Sequence, residues 1–177
     1  MIETVVESIR VSLVTQHRVV ILKEVGGDRH LPIWIGPFEA EAIAMELQSM
    51  SSARPLPYDL MRTIIQDMGA SVSQVLVTAL SNDVFYAVIV LEHNGERIEV
   101  DSRPSDAIAL AVRVKVPILV DESVMERAGV SLEHEAEDEE GQERERPAGE
   151  EHGEDLGVFR EFINSLDLDD FEKKRDN

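Results

Sequence analysis

The chain has 177 residues, no cysteine and a formal net charge of −19. That length suits one domain with a sizeable core and some additional tail, and the lack of cysteine excludes a disulfide framework and thiolate chemistry. No apolar run approaches the roughly 18–20 residues needed to span a bilayer, so the expectation is a soluble, cytoplasmic protein with no membrane partner.

The N-terminal "MIETVVESIRVSL" alternates and carries Glu3 and Glu7; it is expected as a strand and not as a signal peptide. "HRVVILKEV" is rich in β-branched residues, and "GGD" marks a turn, with Gly26 and Gly27 supplying positive φ cheaply. "RHLPIWI" completes a third strand, where Pro32 points to an edge or a bulge and Trp34 is expected in the core. "GPFEAEAIAMELQSM" turns helical, with Pro37 at a first helical position and Glu39 in the positive first turn. After the break "SSARPLP", "YDLMRTIIQDMG" is a second helix. Its apolar residues Leu60, Ile64 and Met68 fall at i, i+4 and i+8, and Gly69 ends it.

The second half opens with the strand "SVSQVLVTAL", turns at "SND" and continues through "VFYAVIVLE", whose near-continuous apolar run predicts a central strand. "HNGE" is an Asn-Gly hairpin turn, "RIEVD" is the next strand, and "SRPSDAIALAV" opens a helix. "VPILVD" and "ESVMERAGV" add a strand and a short helical turn stopped by Gly129. The two halves match. "IWIGPFEAEAIAM" (33–45) lies over "IEVDSRPSDAIAL" (98–110) without a gap, placing Glu41 to Ala44 on Asp106 to Ala109 at an offset of 65 residues. The expected fold is therefore α+β: duplicated βββα units, a mainly antiparallel sheet and packed helices.

Residues 1–132 hold 18 acidic against 11 basic side chains, residues 133–155 hold 12 against two, and residues 156–177 hold six against four. The middle segment has no apolar face to bury and is expected to be disordered, either as a solubilising linker or as an acidic competitor for a nucleic-acid groove. In 156–177, Phe159, Phe162, Ile163 and Leu166 recur at i, i+3, i+4 and i+7, the pattern of an amphipathic helix. The expected organisation is thus a domain over 1–132, a linker over 133–155 and a helix over 156–177.

No Gly-rich phosphate loop or Gly-x-Ser-x-Gly elbow is present, and the five histidines lack metal-ligand spacing. What remains is carboxylates near element ends: Asp101 at a strand end, Asp106 and Glu39 in helix first turns, and Asp59 opening the middle helix. Hard oxygen donors of this kind suit Mg²⁺ or Mn²⁺, and Arg54 and Arg103, each followed by proline, suit a phosphate. Helix capping accounts for the same residues. An acid in a first turn stabilises the dipole by roughly 0.3–1 kcal/mol, Ser102 or Asp101 can cap, and Asp106 can pair with Arg103.

"LPIWIGPFEAEAIA", "RPLPYDLM" and "DSRPSDAIALAV", in that order, resemble the bifunctional nuclease domain family, found in bacteria and plants. The resemblance covers roughly residues 1–132, and the "F..FI..L...DF" tail is also similar to that of bacterial members. It implies an α+β fold, a homodimer and, from plant members, cleavage of DNA and RNA. The family's motif positions fall on Glu39, Arg54, Asp59, Asp101, Arg103, Ser105 and Asp106; many members carry histidine where this chain has Tyr58. Two functions follow as expectations. One is a metal-dependent nuclease, with Asp101, Asp106, Glu39 and Asp59 as ligands to Mg²⁺ or Mn²⁺ and Arg103 and Arg54 as the phosphate clamp, Asp101, Asp106, Arg103 and Arg54 forming the catalytic set. The other is a non-catalytic protein that engages a protein partner through residues 133–177. A folded part with more acid than base is unusual for a nucleic-acid partner, because phosphate contacts dominate that affinity.

Overall fold

A computed structural model of the chain describes residues 1–11 and 17–131. The acidic segment 133–155 and the amphipathic pattern of 156–177 lie outside the described residues. The first three apolar segments form strands β1 (Ile2–Val11), β2 (Arg18–Glu24) and β3 (Arg29–Ile35), followed by helices α1 (Pro37–Leu47) and α2 (Pro57–Asp67). The second half gives β4 (Ala70–Ser81), β5 (Val84–His93), β6 (Glu96–Ser102) and α3 (Pro104–Val114). The described chain closes with β7 (Ile118–Val120), α4 (Glu122–Ala128) and β8 (Val130–Ser131).

All eight strands join one sheet in the order β6-β5-β4-β7-β1-β2-β3-β8. Each half is an antiparallel meander, β1-β2-β3 and β4-β5-β6. The short β7 stitches the two back to back, antiparallel to β1 and parallel to β4. The fold is thus the α+β arrangement that the duplicated pattern predicts, with β5 interior. The turns explain the tight meanders. Asn94 (φ 52°) and Gly95 (φ 80°) form a two-residue hairpin turn with both residues left-handed, and Asn82 and Asp83 do the same without glycine because short polar side chains tolerate that region. Pro32 falls past the reach of β8, which pairs only with Arg29 and His30. It therefore occupies an edge portion of β3, as its missing N–H requires.

Val20 and Leu22 of β2, Leu31 and Ile33 of β3, and Val75 and Val77 of β4 share one core with Ile108 and Leu110 of α3. The small residues Ala107, Ala109 and Ala111 let α3 pack closely, and nearly its whole length is buried. Four sequence expectations change. Trp34 is 38% exposed and sits edge-on to His17 with ring centroids 5.5 Å apart, instead of filling the core. On α2 the core-facing side is Tyr58, Met61 and Ile65, whereas Leu60, Ile64 and Met68 are exposed. Only Gly26 of the "GGD" turn has positive φ. Finally, β3 and α1 start at 29 and 37, and β6 and α3 at 96 and 104. The structural offset between halves is therefore 67 residues and not 65, and it pairs Glu39, not Glu41, with Asp106.

Candidate active site

Three helices begin with one local grammar: Gly36-Pro37-Phe38-Glu39, Leu56-Pro57-Tyr58-Asp59 and Arg103-Pro104-Ser105-Asp106. Proline at the first helical position gives up an N–H that has no intrahelical acceptor, and an acid in the first turn faces the positive end of the helix dipole. Capping chemistry is therefore common to all three starts. What separates them is the cation each acid meets.

Asp59 faces inward. Its Oδ2 accepts from the Leu56 backbone N–H at 2.8 Å, and its Oδ1 lies 2.9 Å from Nη1 of Arg113, whose side chain is only 4% exposed. Arg113 also donates to the Ala42 carbonyl at 3.1 Å, so this pair ties α1, α2 and α3 together. Burial acts to raise the Asp59 carboxyl, but the Leu56 N–H and the Arg113 guanidinium outweigh it and hold its pKa below the usual carboxylate range.

Glu39 and Asp106 converge on Arg103. Arg103 Nε donates to Asp106 Oδ2 at 2.7 Å and Nη2 to Asp106 Oδ1 at 3.1 Å, while the same Nη2 donates to Glu39 Oε1 at 2.8 Å. The buried Tyr58 hydroxyl donates to Asp106 Oδ1 at 2.8 Å. Burial first, then the Asp106 hydrogen bond and the charges of Asp106 and Glu39, push the Tyr58 hydroxyl well above its ordinary range, so it stays a neutral donor. The Arg103 side chain remains 66% exposed, and its Nη1 has no partner among the described residues.

Beside this cluster lies a concavity of about 540 Å³, with Asp101, Ser102, Arg103 and Asp106 among its lining residues. Asp101, opposite Val88 near the end of β6, is exposed and makes no hydrogen bond or ion pair among the described residues. Ser105 is buried. Arg54 is exposed in the stretch before α2 and does not line the concavity. The structure therefore brings Glu39, Arg103 and Asp106 together, sets Asp101 on the same concavity, and keeps Asp59 with Arg113. Sequence reasoning noted Tyr58 only as a departure from the family pattern. Its place one residue before Asp59, on the core-facing side of α2, is what aims it at Asp106.

Among the described residues, no group of three or more His, Cys, Asp and Glu stands together as a metal centre. Those residues therefore build no cage that holds an ion by protein groups alone. Magnesium-type ions shared with a substrate phosphate need only one or two carboxylates and waters. The donor set fits that second kind, since Glu39, Asp101 and Asp106 outnumber Arg103 and the local charge is negative.

An α+β sheet carrying helix-start carboxylates clamped on one exposed arginine defines the class, and the comparisons give the family. The bifunctional nuclease domain profile matches residues 20–133. An uncharacterized protein of Mycobacterium tuberculosis is 41% identical over 169 residues, covering 96% of this chain and 97% of that protein. Bifunctional nuclease 1 of Oryza sativa subsp. indica is 31% identical over 119 residues, 66% of this chain and 36% of the plant protein. Bifunctional nuclease 2 of Arabidopsis thaliana is 33% identical over 108 residues, 59% and 33% of the two chains. This chain belongs to the bifunctional nuclease domain family; its match spans about a third of those plant proteins.

Proposed function

We propose that this protein is a nuclease that cleaves phosphodiester bonds of DNA, RNA or both at the concavity beside Arg103. The observation that carries the proposal is the state of that guanidinium: Nε and Nη2 are fixed by two carboxylates, while Nη1 has no partner among the described residues and the side chain is 66% exposed. A guanidinium held in this way offers Nη1 to a phosphate without losing much side-chain freedom on binding. Tyr58 and Arg103 fix the orientation of Asp106, and Glu39 fixes Arg103 from the opposite side. Asp101 and Asp106 would hold Mg²⁺ or Mn²⁺; when bound, such an ion supplies charge neutralisation and Lewis acidity at the phosphodiester. The excess of carboxylates over arginine makes that cation part of the proposal, because a phosphate alone is repelled by this rim.

The test is cleavage of single- and double-stranded DNA and RNA by the full chain in Mg²⁺, Mn²⁺ or EDTA. Arg103→Lys, Asp101→Ala and Asp106→Ala, each confirmed folded, accompany the parent. Metal-dependent cleavage that all three variants lose supports the assignment. Cleavage that survives in all three removes it, and no cleavage of any substrate favours the non-catalytic reading. One observation bears on partners: α2 turns Leu60, Ile64 and Met68 to solvent, an aligned apolar face of the kind that marks an interface. We propose that a second copy covers it in the homodimer that the family resemblance implies. Sedimentation of the parent beside Leu60→Ser/Ile64→Ser tests this, a dimer that dissociates in the variant being the expected result. A protein partner for residues 133–177 lies outside the described residues.

A further inference from the structure

The same concavity is also lined by Phe85, Tyr86, Ile89 and Val100 from β5 and β6 and by Met61 from α2. Two of these, Tyr86 and Val100, are 46% and 41% exposed. Single exposed apolar residues are ordinary on a protein surface. Here Tyr86 and Val100 line one concavity with Arg103, the only cation among its described lining residues. An apolar wall with a few convergent polar groups is the general form of a small-molecule site. This lining also matches the two halves of a nucleotide, an uncharged ring with a π face and an anionic phosphate. A base in a duplex has both faces covered by its neighbours, so only an unpaired base can lay a face on Tyr86.

We infer that Tyr86 and its apolar neighbours form a nucleobase site that makes unpaired strands the preferred ligands of this protein. The inference rests on the nuclease reading, since Arg103 must hold the adjoining phosphate. It adds a determinant that the phosphodiester chemistry does not require. A base on Tyr86 anchors the strand independently of sequence, because every base offers a π face.

The test is fluorescence anisotropy of the full chain with three labelled probes: a single-stranded oligothymidylate, an abasic strand of the same length and charge, and a duplex. Binding is measured in Ca²⁺, with strand integrity checked on gels. The parent should bind the oligothymidylate about tenfold more tightly than the abasic strand, the scale of one base–aromatic stack, and more tightly than the duplex. Tyr86→Ala should remove the preference for bases, and Tyr86→Phe, which keeps the ring, should retain it. If Tyr86→Ala does not fold, Val100→Ser in the same concavity should weaken the preference instead. Equal binding of the oligothymidylate and abasic strands by the parent, or a preference that persists in Tyr86→Ala, overturns the base site. If the parent also cleaves nucleic acid in that case, the nuclease reading stands without it. Failure to bind or cleave any strand overturns both.

Discussion

Replacing Asp59 with Asn asks whether this carboxylate holds the fold or the substrate. It sits at a motif position of the family, yet its geometry is that of an internal tie: 2.9 Å to an Arg113 side chain that is 4% exposed, and 2.8 Å to the Leu56 N–H. Removing one partner of a buried pair typically costs about 3–5 kcal/mol, because the other charge is left uncompensated. Asp59 is itself 25% exposed and Asn still accepts from Leu56, so the low end, about 3 kcal/mol, applies. For a domain of this size that lowers Tm by about 10 °C. The assay is thermal melting by circular dichroism, with cleavage measured well below the melt. Asp59→Asn should melt early and retain activity at low temperature. Arg113→Met should cost less, because an apolar side chain replaces the cation, and the double variant should cost less than the two singles combined. An Asp59→Asn variant that melts within about 2 °C of the parent and no longer cleaves would refute this reasoning and return Asp59 to the site.

Acid should expose the same tie. The folded pKa of Asp59 is depressed, so its stabilisation is present above the unfolded value, near pH 4, and is lost as pH falls through the folded value. The gap in Tm between the parent and Asp59→Asn should therefore narrow below about pH 4, as melts across an acid series would show. Tyr58→Phe removes one hydrogen bond to a carboxylate, an interaction of about 1.5–3 kcal/mol; melting and cleavage should both decline, with the fold retained. Gly36→Ala places a Cβ against the Glu39 carboxylate. Because that carboxylate is the end of a flexible chain, stability should change little while cleavage drops as Arg103 loses an anchor.

Much of the fold was legible because it is built from local signals: alternation, Asn-Gly and Asn-Asp turns, and proline at helix starts all fall where the strands and helices begin and end. The misreadings come from choices that only tertiary contacts decide. On α2, Leu60-Ile64-Met68 and Tyr58-Met61-Ile65 are both helical stripes, and only packing against the core selects the second, whose Tyr58 reaches Asp106 on α3. Trp34 lies where β3 runs past the end of β8, so it meets His17 and not the core. At the site, Arg103 with Asp106 was readable as an i, i+3 pair. Glu39, 64 residues away, joins them only because α1 packs on α3. The Asp59–Arg113 pair was hidden for the same reason, since Arg113 lies on another helix.

The duplication explains why this pairing yields a site on one side only. In the structural register, Gly36 and Arg103 are equivalent N-caps, and Glu39 and Asp106 are equivalent third helical residues. Both halves thus supply an acid, but one half alone supplies the cation, and it serves both acids. The missing side chain at position 36 is part of the arrangement, because the Glu39 carboxylate occupies the space that a Cβ would fill. A symmetric pair of arginine caps would satisfy each acid within its own helix and leave no reason for α1 and α3 to share a guanidinium. With glycine in one half and arginine in the other, the shared guanidinium is held by both acids and leaves Nη1 without a partner among the described residues. That asymmetry goes beyond what capping either helix requires.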